Sequence, residues 1–132
     1  MLQFMLDTNI CIYVMKHVPA ALESRFNDTA EQLCISSITL AELYFGVEKS
    51  AQREDNLRGL EQFIARVEVL PFSAKAAMHY GQIRAELTRA GTQCGSNHML
   101  IGAHARSEGL IVVTNNMREF SRMPGLRSVN WV

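Results

Sequence analysis

The first six residues, Met-Leu-Gln-Phe-Met-Leu, form an apolar run that ends abruptly on one acid, Asp7. An amphipathic segment begins directly after it at Thr8-Asn9-Ile10. A short apolar run followed by helical spacing reads as strand, turn and helix. Asp7 then lies at the carboxyl end of a strand, the edge at which ligands bind in open α/β sheets. Asp before Thr-Asn is equally a plain helix N-cap. The choice between these readings depends on where the other acids fall.

The same alternation continues along the chain. Ile10, Tyr13 and Val14 recur at helical spacing until Lys16-His17, and Val18-Pro19 closes the helix, because a residue before proline avoids the α region. Pro19 opens a second helix to about Asn27. Leu33 to Ser36 reads as a short buried strand, and Ser36 or Ser37 caps a helix to about Lys49 with Leu40, Leu43, Tyr44 and Val47 inward. A polar linker, Ser50 to Asp55, leads to a helix through about Arg66. Val67 to Pro71 is a strand, and Ser73 caps a long helix that Gly91 ends. After a loop, Ser96 or Asn97 caps a helix from His98 to Ser107. Leu110 to Val113 is wholly apolar and mostly β-branched, as in a strand buried on both faces. Thr114-Asn115-Asn116 is a turn, Met117 to Phe120 a helical turn, and Leu126 to Trp131 contains a last weak strand. Strands alternating with helices imply an α/β fold with a mostly parallel central sheet flanked by helices, in one domain spanning 1–132.

Thirteen basic and thirteen acidic residues cancel, so a nucleic-acid partner must be held by a local patch and not by overall charge. Three cysteines, Cys11, Cys34 and Cys94, are widely spaced and include no C-x-x-C pair, which argues against a zinc site and fits the reducing cytoplasm. The first six residues carry no Lys or Arg, unlike a signal peptide, and no apolar run approaches the roughly 18 residues that span a bilayer. The expectation is a cytoplasmic protein with no membrane partner.

The strands ending at Leu6 and Val113 are each followed by polar turn residues, so the sequence offers a site made of Asp7, Glu42 on the third helix, the start of the His98 helix, and Asn116 with Glu119. Glu42 lies among apolar neighbours and has no Lys or Arg four residues to either side, which makes it an edge residue or a functional one. Acids clustered across several elements commonly hold Mg²⁺ or Mn²⁺, since carboxylates brought together repel one another without a cation. Such a cation acidifies water and neutralises a scissile phosphate, so no general-base histidine is needed. A phosphatase with Asp7 as nucleophile would want a second Asp two residues on, and that position is Asn9.

With these residues in place, the chain resembles the VapC toxins, PIN-domain ribonucleases of bacterial toxin–antitoxin pairs, and most closely the enterobacterial members. The residues that carry the resemblance are Met5-Leu-Asp-Thr-Asn-Ile10, Ile35-Ser-Ser-Ile-Thr-Leu-Ala-Glu-Leu43, Gly81-Gln-Ile-Arg-Ala-Glu-Leu87, Ile101-Gly-Ala-His-Ala105, Val113-Thr-Asn-Asn116 through Arg118-Glu-Phe120, and Asn130-Trp131. The resemblance covers the whole chain and implies a PIN-like three-layer sandwich. It also implies a Mg²⁺- or Mn²⁺-dependent endoribonuclease that cuts initiator tRNA in the anticodon stem-loop and stops translation. The implied partners are a VapB-type antitoxin in the active-site groove, a second copy in a homodimer, and a higher hetero-oligomer with antitoxin. Operator DNA would be bound only through the antitoxin. Asp7 matches the family's first acid and Glu42 its second. Asn116 lies at the fourth acidic position with Glu119 one helical turn on, and Thr8, Asn9 and Thr114 flank the acids. Lys16, Lys49, Arg84 and Arg118 are candidates for RNA contact by position.

One position departs from the family. Its third acid, an Asp opening a helix, falls on His98, and no nearby residue replaces it. Histidine is neutral or cationic near neutral pH, and imidazole suits Zn²⁺ or Mn²⁺ better than Mg²⁺. His98 and His104 lie six residues apart, roughly 120° around a helix, so they do not chelate one ion together. The expectation is a VapC scaffold with weakened metal binding and little or no cleavage, or a binding module that dimerises and holds antitoxin or RNA without cutting.

Overall fold

Adjacent residues of the apolar strands point to opposite faces, and each face needs its own cover. In a computed structural model that describes all residues, Met1–Val132, each face has one. The strands are β1 (Phe4–Leu6), β2 (Leu33–Ser36), β3 (Glu68–Leu70), β4 (Ile111–Val113) and β5 (Ser128–Val129), in the order β3-β2-β1-β4-β5. Every pairing is parallel, so the sheet is parallel throughout and not only mostly so. The helices are α1 (Thr8–Met15), α2 (Ala20–Asp28), α3 (Ser37–Glu48), α4 (Arg53–Ile64), α5 (Ala74–Ala90), α6 (Ser96–Glu108) and α7 (Met117–Phe120).

The two cores follow the strand alternation. Leu6, Leu33, Ile35 and Val113 face α1 to α4, packing with Ile10, Leu22, Phe26, Leu43 and Phe63. Met5, Cys34 and Val112 face the opposite layer, against Ile83, Leu87, Ile101 and Phe120. The result is the expected three-layer sandwich. The first three strands step outward from β1 to β3, and the chain then returns to β4 on the other side of β1. That reversal opens a crevice at the carboxyl ends of β1 and β4, the place where such sheets bind ligands.

Several boundaries differ from the sequence reading. Helix α4 starts at Arg53, inside the expected linker, and its first turn gains Glu54 and Asp55 near the positive end of the helix. On α3 the buried stripe is Thr39, Leu43 and Val47, while Tyr44 turns outward. Helix α6 begins at Ser96 with Gly95 as N-cap and no side-chain cap, because Asn97 is engaged elsewhere. Cys11 and Cys34 are buried free thiols, as expected, and burial pushes Cys34 up to about 12.

A buried polar contact joins the two site-bearing helices across the sheet edge. Ser36 Oγ caps α3 by accepting from the Ile38 N–H at 3.1 Å and lies 2.7 Å from His104 Nδ1 on α6. His104 is fully buried, its Nε2 has no hydrogen-bond partner, and burial lowers its pKa below the usual histidine range, against the upward pull of Glu108. Ser36→Ala removes the cap and leaves both nitrogens of a buried imidazole unpartnered. The expected loss is about 2–3 kcal/mol, seen in urea unfolding as a lower midpoint with an unchanged m-value.

Candidate active site

Asp7 is the first residue after β1, and the sheet itself fixes it. Its backbone N–H donates to Val113 O at 2.9 Å, extending the β1–β4 ladder by one residue. The Thr114 N–H does the same to Val129 O at 3.0 Å. The two strand ends therefore hold Asp7 and Thr114 side by side, and Thr114 Oγ1 donates to Asp7 Oδ2 at 2.9 Å. Asp7 Oδ1 accepts the Thr8 N–H at 2.8 Å. Both readings of Asp7 thus hold together: it caps α1 and it occupies the crevice. The residue is only 1% exposed. Burial raises its carboxyl above the ordinary range, against the opposing pull of Thr114, the Thr8 N–H and His98, while Glu42 adds to the rise.

Glu42 comes to Asp7 from the next strand over, on α3, which starts where β2 ends. Thr8 Oγ1 donates to Glu42 Oε1 at 2.5 Å and lies 3.4 Å from Thr39 Oγ1. Asn97 Nδ2 donates to the other oxygen, Oε2, at 2.9 Å. Glu42 is therefore turned toward the cluster, away from solvent-facing Ala41 and Tyr44.

The third part of the site is a closed polar knot around Glu119. Its Oε1 accepts the Gly95 N–H at 2.5 Å, and its Oε2 accepts from Asn116 Nδ2 at 2.8 Å and lies 3.1 Å from His98 Nδ1. Asn116 Nδ2 and His98 Nδ1 are 3.5 Å apart, and His98 packs at a tilt on Phe120 with ring centroids 5.3 Å apart. Burial acts upward on the Glu119 carboxyl, but the Gly95 N–H, Asn116 and His98 outweigh it and hold the group below the usual carboxylate range. The Asn116 backbone N–H donates to Thr114 Oγ1 at 2.9 Å, so the knot is tied to the hydroxyl that holds Asp7.

Asp7, Thr8, Glu42, His98, Thr114, Asn116 and Glu119 are thus one continuous network. Asn9 is exposed in the first turn of α1, beside it. Lys16 lines a groove of about 360 Å³ between α1, α3 and α4, whose wall includes Glu42 with Ile12, Met15, Leu43 and Val47. Arg118 is exposed on α7 next to Glu119. Lys49 instead lies over the Phe45 ring at the far end of α3, and Arg84 donates to the Tyr80 hydroxyl on α5. Neither touches the acidic network. Sequence reasoning missed Asn97 and Gly95. Asn97 reads only as a cap residue, and its contact with Glu42 exists because α3 and α6 meet at the sheet edge. Gly95 carries no side chain to notice, yet a Cβ there would come within 3.2 Å of His98 Nδ1.

The donor set suits a divalent cation in kind, with carboxylates from Asp7, Glu42 and Glu119 and hydroxyl and amide groups to orient them. The placement is less favourable: no three His, Cys, Asp or Glu side chains gather closely enough to hold one ion. Each carboxylate is satisfied by donors of the protein, and the His98 imidazole takes up Glu119.

Comparison with known proteins agrees with the fold. The PIN domain pattern matches residues 4–126. The chain is 53% identical over 132 residues to Ribonuclease VapC2 of Haemophilus influenzae, with all of both chains covered. It is 54% identical over 131 residues to the tRNA(fMet)-specific endonuclease VapC of Shigella flexneri, covering 99% of each. Its fold superposes on a chain of the DNA-bound VapBC crystal structure from Salmonella typhimurium with a TM-score of 0.96, 54% identity and full coverage of both. A chain with this fold, this strand-end acid network and this full-length similarity belongs to the PIN-domain family, among the VapC ribonucleases.

Proposed function

We propose that this chain is the toxin of a VapB–VapC-type pair whose site is built to hydrolyse one phosphodiester in the anticodon stem-loop of initiator tRNA, and that His98 silences it. The supporting observation is the contact between His98 and Glu119, 3.1 Å apart, which draws an acid of the cluster into a closed knot. The tRNA assignment rests on the relatives named tRNA(fMet)-specific endonucleases.

Asp7 and Glu42 would hold the cation, with Glu119 reaching it once freed. A bound Mg²⁺ or Mn²⁺ neutralises charge on the scissile phosphate and acidifies the attacking water. The chain's own residues supply the rest. Thr114 and Thr8 fix both oxygens of Asp7, and Thr8 and Asn97 fix both oxygens of Glu42. These ties hold Asp7 at a strand end and Glu42 in the middle of α3, where misplacement by about 1 Å can cost about 10²-fold in rate. In this reading an Asp in place of His98 would add a hard ligand and release Glu119. The alternative, a non-cleaving binding module, gains support from the same contact.

Antitoxin is assigned to the groove beside Glu42, whose walls of Ile12, Met15, Leu43 and Val47 offer an apolar seat. Tyr44 and Phe45 on α3 and Met78 on α5 are large exposed apolar side chains that a homodimer would cover. No helix is long and apolar enough to cross a membrane, and a cytoplasmic site of action suits a tRNA substrate.

The direct test compares this chain with His98→Asp on initiator and elongator tRNA in Mg²⁺ and in Mn²⁺. The expected outcome is cleavage of initiator tRNA by His98→Asp alone, faster by at least the ~10–100-fold associated with metal-ligand support. Equal cleavage by both would show that His98 is tolerated and would sink the account of the silenced site.

Asp7 gives a second prediction through its raised carboxyl. Between the unfolded value and the raised folded one, the folded state holds a proton that the unfolded state has released, so this group's contribution to stability is greatest in acid. It falls as pH rises from the unfolded value through the folded one. At neutral pH the charge is a cost, and Asp7→Asn is expected to raise Tm at pH 7 in chelator while abolishing any cleavage. The Tm gain should shrink toward pH 4. A lower Tm at pH 7 would mean that the hydrogen bonds to the carboxylate outweigh its burial.

A further inference from the structure

Helix α1 separates two surfaces beside the acids. Ile12, Met15 and Lys16 face the apolar groove of α3 and α4. Tyr13, about 100° around the helix from Ile12, turns the other way, toward the loop after β4. There Asn115 Nδ2 donates to the Tyr13 hydroxyl at 3.1 Å. Asn115 is exposed, and its neighbours in sequence are the two residues that hold Asp7 and Glu119, namely Thr114 and Asn116. Asn9 stands exposed one turn before Tyr13 on the same face of α1.

We infer that Tyr13 and Asn115 form a nucleoside-recognition pair on the rim of the acidic cluster, taking an unpaired nucleotide next to the scissile phosphate. This inference rests on the ribonuclease reading of the acidic site. The two side chains make no other hydrogen bond within the protein. The Tyr13 hydroxyl accepts from Asn115 and keeps its own hydrogen free to donate, while the Asn115 amide oxygen stays free to accept. One donor and one acceptor side by side, without charge, match a base edge or a ribose 2′-hydroxyl, which is itself both donor and acceptor. Neutral Tyr and Asn side chains contact phosphate oxygens as well, and a duplex without the loop, which offers phosphates but no unpaired nucleotide, separates the two modes. A surface hydrogen bond of this kind adds little to folding, so its placement within one residue of both acid-holding side chains is better explained by substrate contact.

Because the chain is expected not to cut, binding can be followed on the native protein. The probe is a fluorescein-labelled anticodon stem-loop hairpin of initiator tRNA, read by anisotropy in chelator over a salt series. Comparison probes are the 2′-deoxy version of the hairpin and a blunt RNA duplex without the loop. Tyr13→Phe keeps the ring and its packing, and Asn115→Ala removes an exposed amide, so both variants should fold, as thermal unfolding would verify. Each is expected to weaken hairpin binding about fivefold, the equivalent of one hydrogen bond, with the duplex unaffected and the salt slope unchanged. A penalty that persists on the 2′-deoxy hairpin assigns the contact to the base, and one that disappears there assigns it to the 2′-hydroxyl. Unchanged hairpin affinity overturns the inference, as does equal weakening on hairpin and duplex, which marks a backbone contact that needs no unpaired nucleotide. If the native chain binds the hairpin no better than the duplex, the tRNA reading itself falls and this inference falls with it.

Discussion

A carboxylate buried between two parallel strands is the constraint around which this molecule is arranged. Asp7 follows β1 directly, and its charge is withdrawn from water by the sheet and helix α1. A buried carboxylate is tolerable only with donors on its oxygens. Thr8 and Thr114 provide them, and each then passes the constraint onward. Thr8 reaches Glu42, and Thr114 accepts from the backbone of Asn116, which in turn holds Glu119. The polar network therefore grows from one acid along three chain segments far apart in sequence.

The layers of the fold explain why these segments meet. Strands β1, β2 and β4 are adjacent and parallel, so the segments leaving their carboxyl ends all emerge at one edge of the sheet. Two separate cores, one on each face, keep the layers rigid and leave that edge to polar groups. His104 and Ser36 join α6 to the start of α3 just beneath it. The helices carrying Glu42 and His98 are thus fixed to each other as well as to the sheet. Against that rigid frame His98, on the first turn of α6, lies 3.1 Å from the Glu119 carboxylate.

Much of this was legible in the sequence because it depends on local chemistry. The apolar run ending at Asp7, the β-branched run at Ile111–Val113, the proline after Val18 and the glycines at 91 and 109 each state their structure within a few residues. The parallel sheet followed from their alternation, and the acids at strand ends followed from that. The remainder depends on distant packing. Tyr44 reads as inward because it shares helical spacing with Leu40 and Val47, yet α3 rolls so that Thr39 is buried and Glu42 faces Asp7. Asn97 reads as a cap, and only the approach of α6 to α3 gives it Glu42 as partner. The Gly95 backbone contact with Glu119 leaves no sequence signal at all.

The central claim is that His98 disables the acidic site by engaging Glu119 and by replacing a hard oxygen ligand with a nitrogen. Cation affinity tests it without reference to any RNA. Titrating Mn²⁺ and Mg²⁺ into the native chain and into His98→Asp by calorimetry should give weak or undetectable binding in the first. The second should bind more tightly by at least about tenfold, a difference of ~1.4 kcal/mol, with the larger gain for Mg²⁺. Equal affinities in the two proteins would contradict the claim and leave Asp7 and Glu42 as a site that needs no third acid.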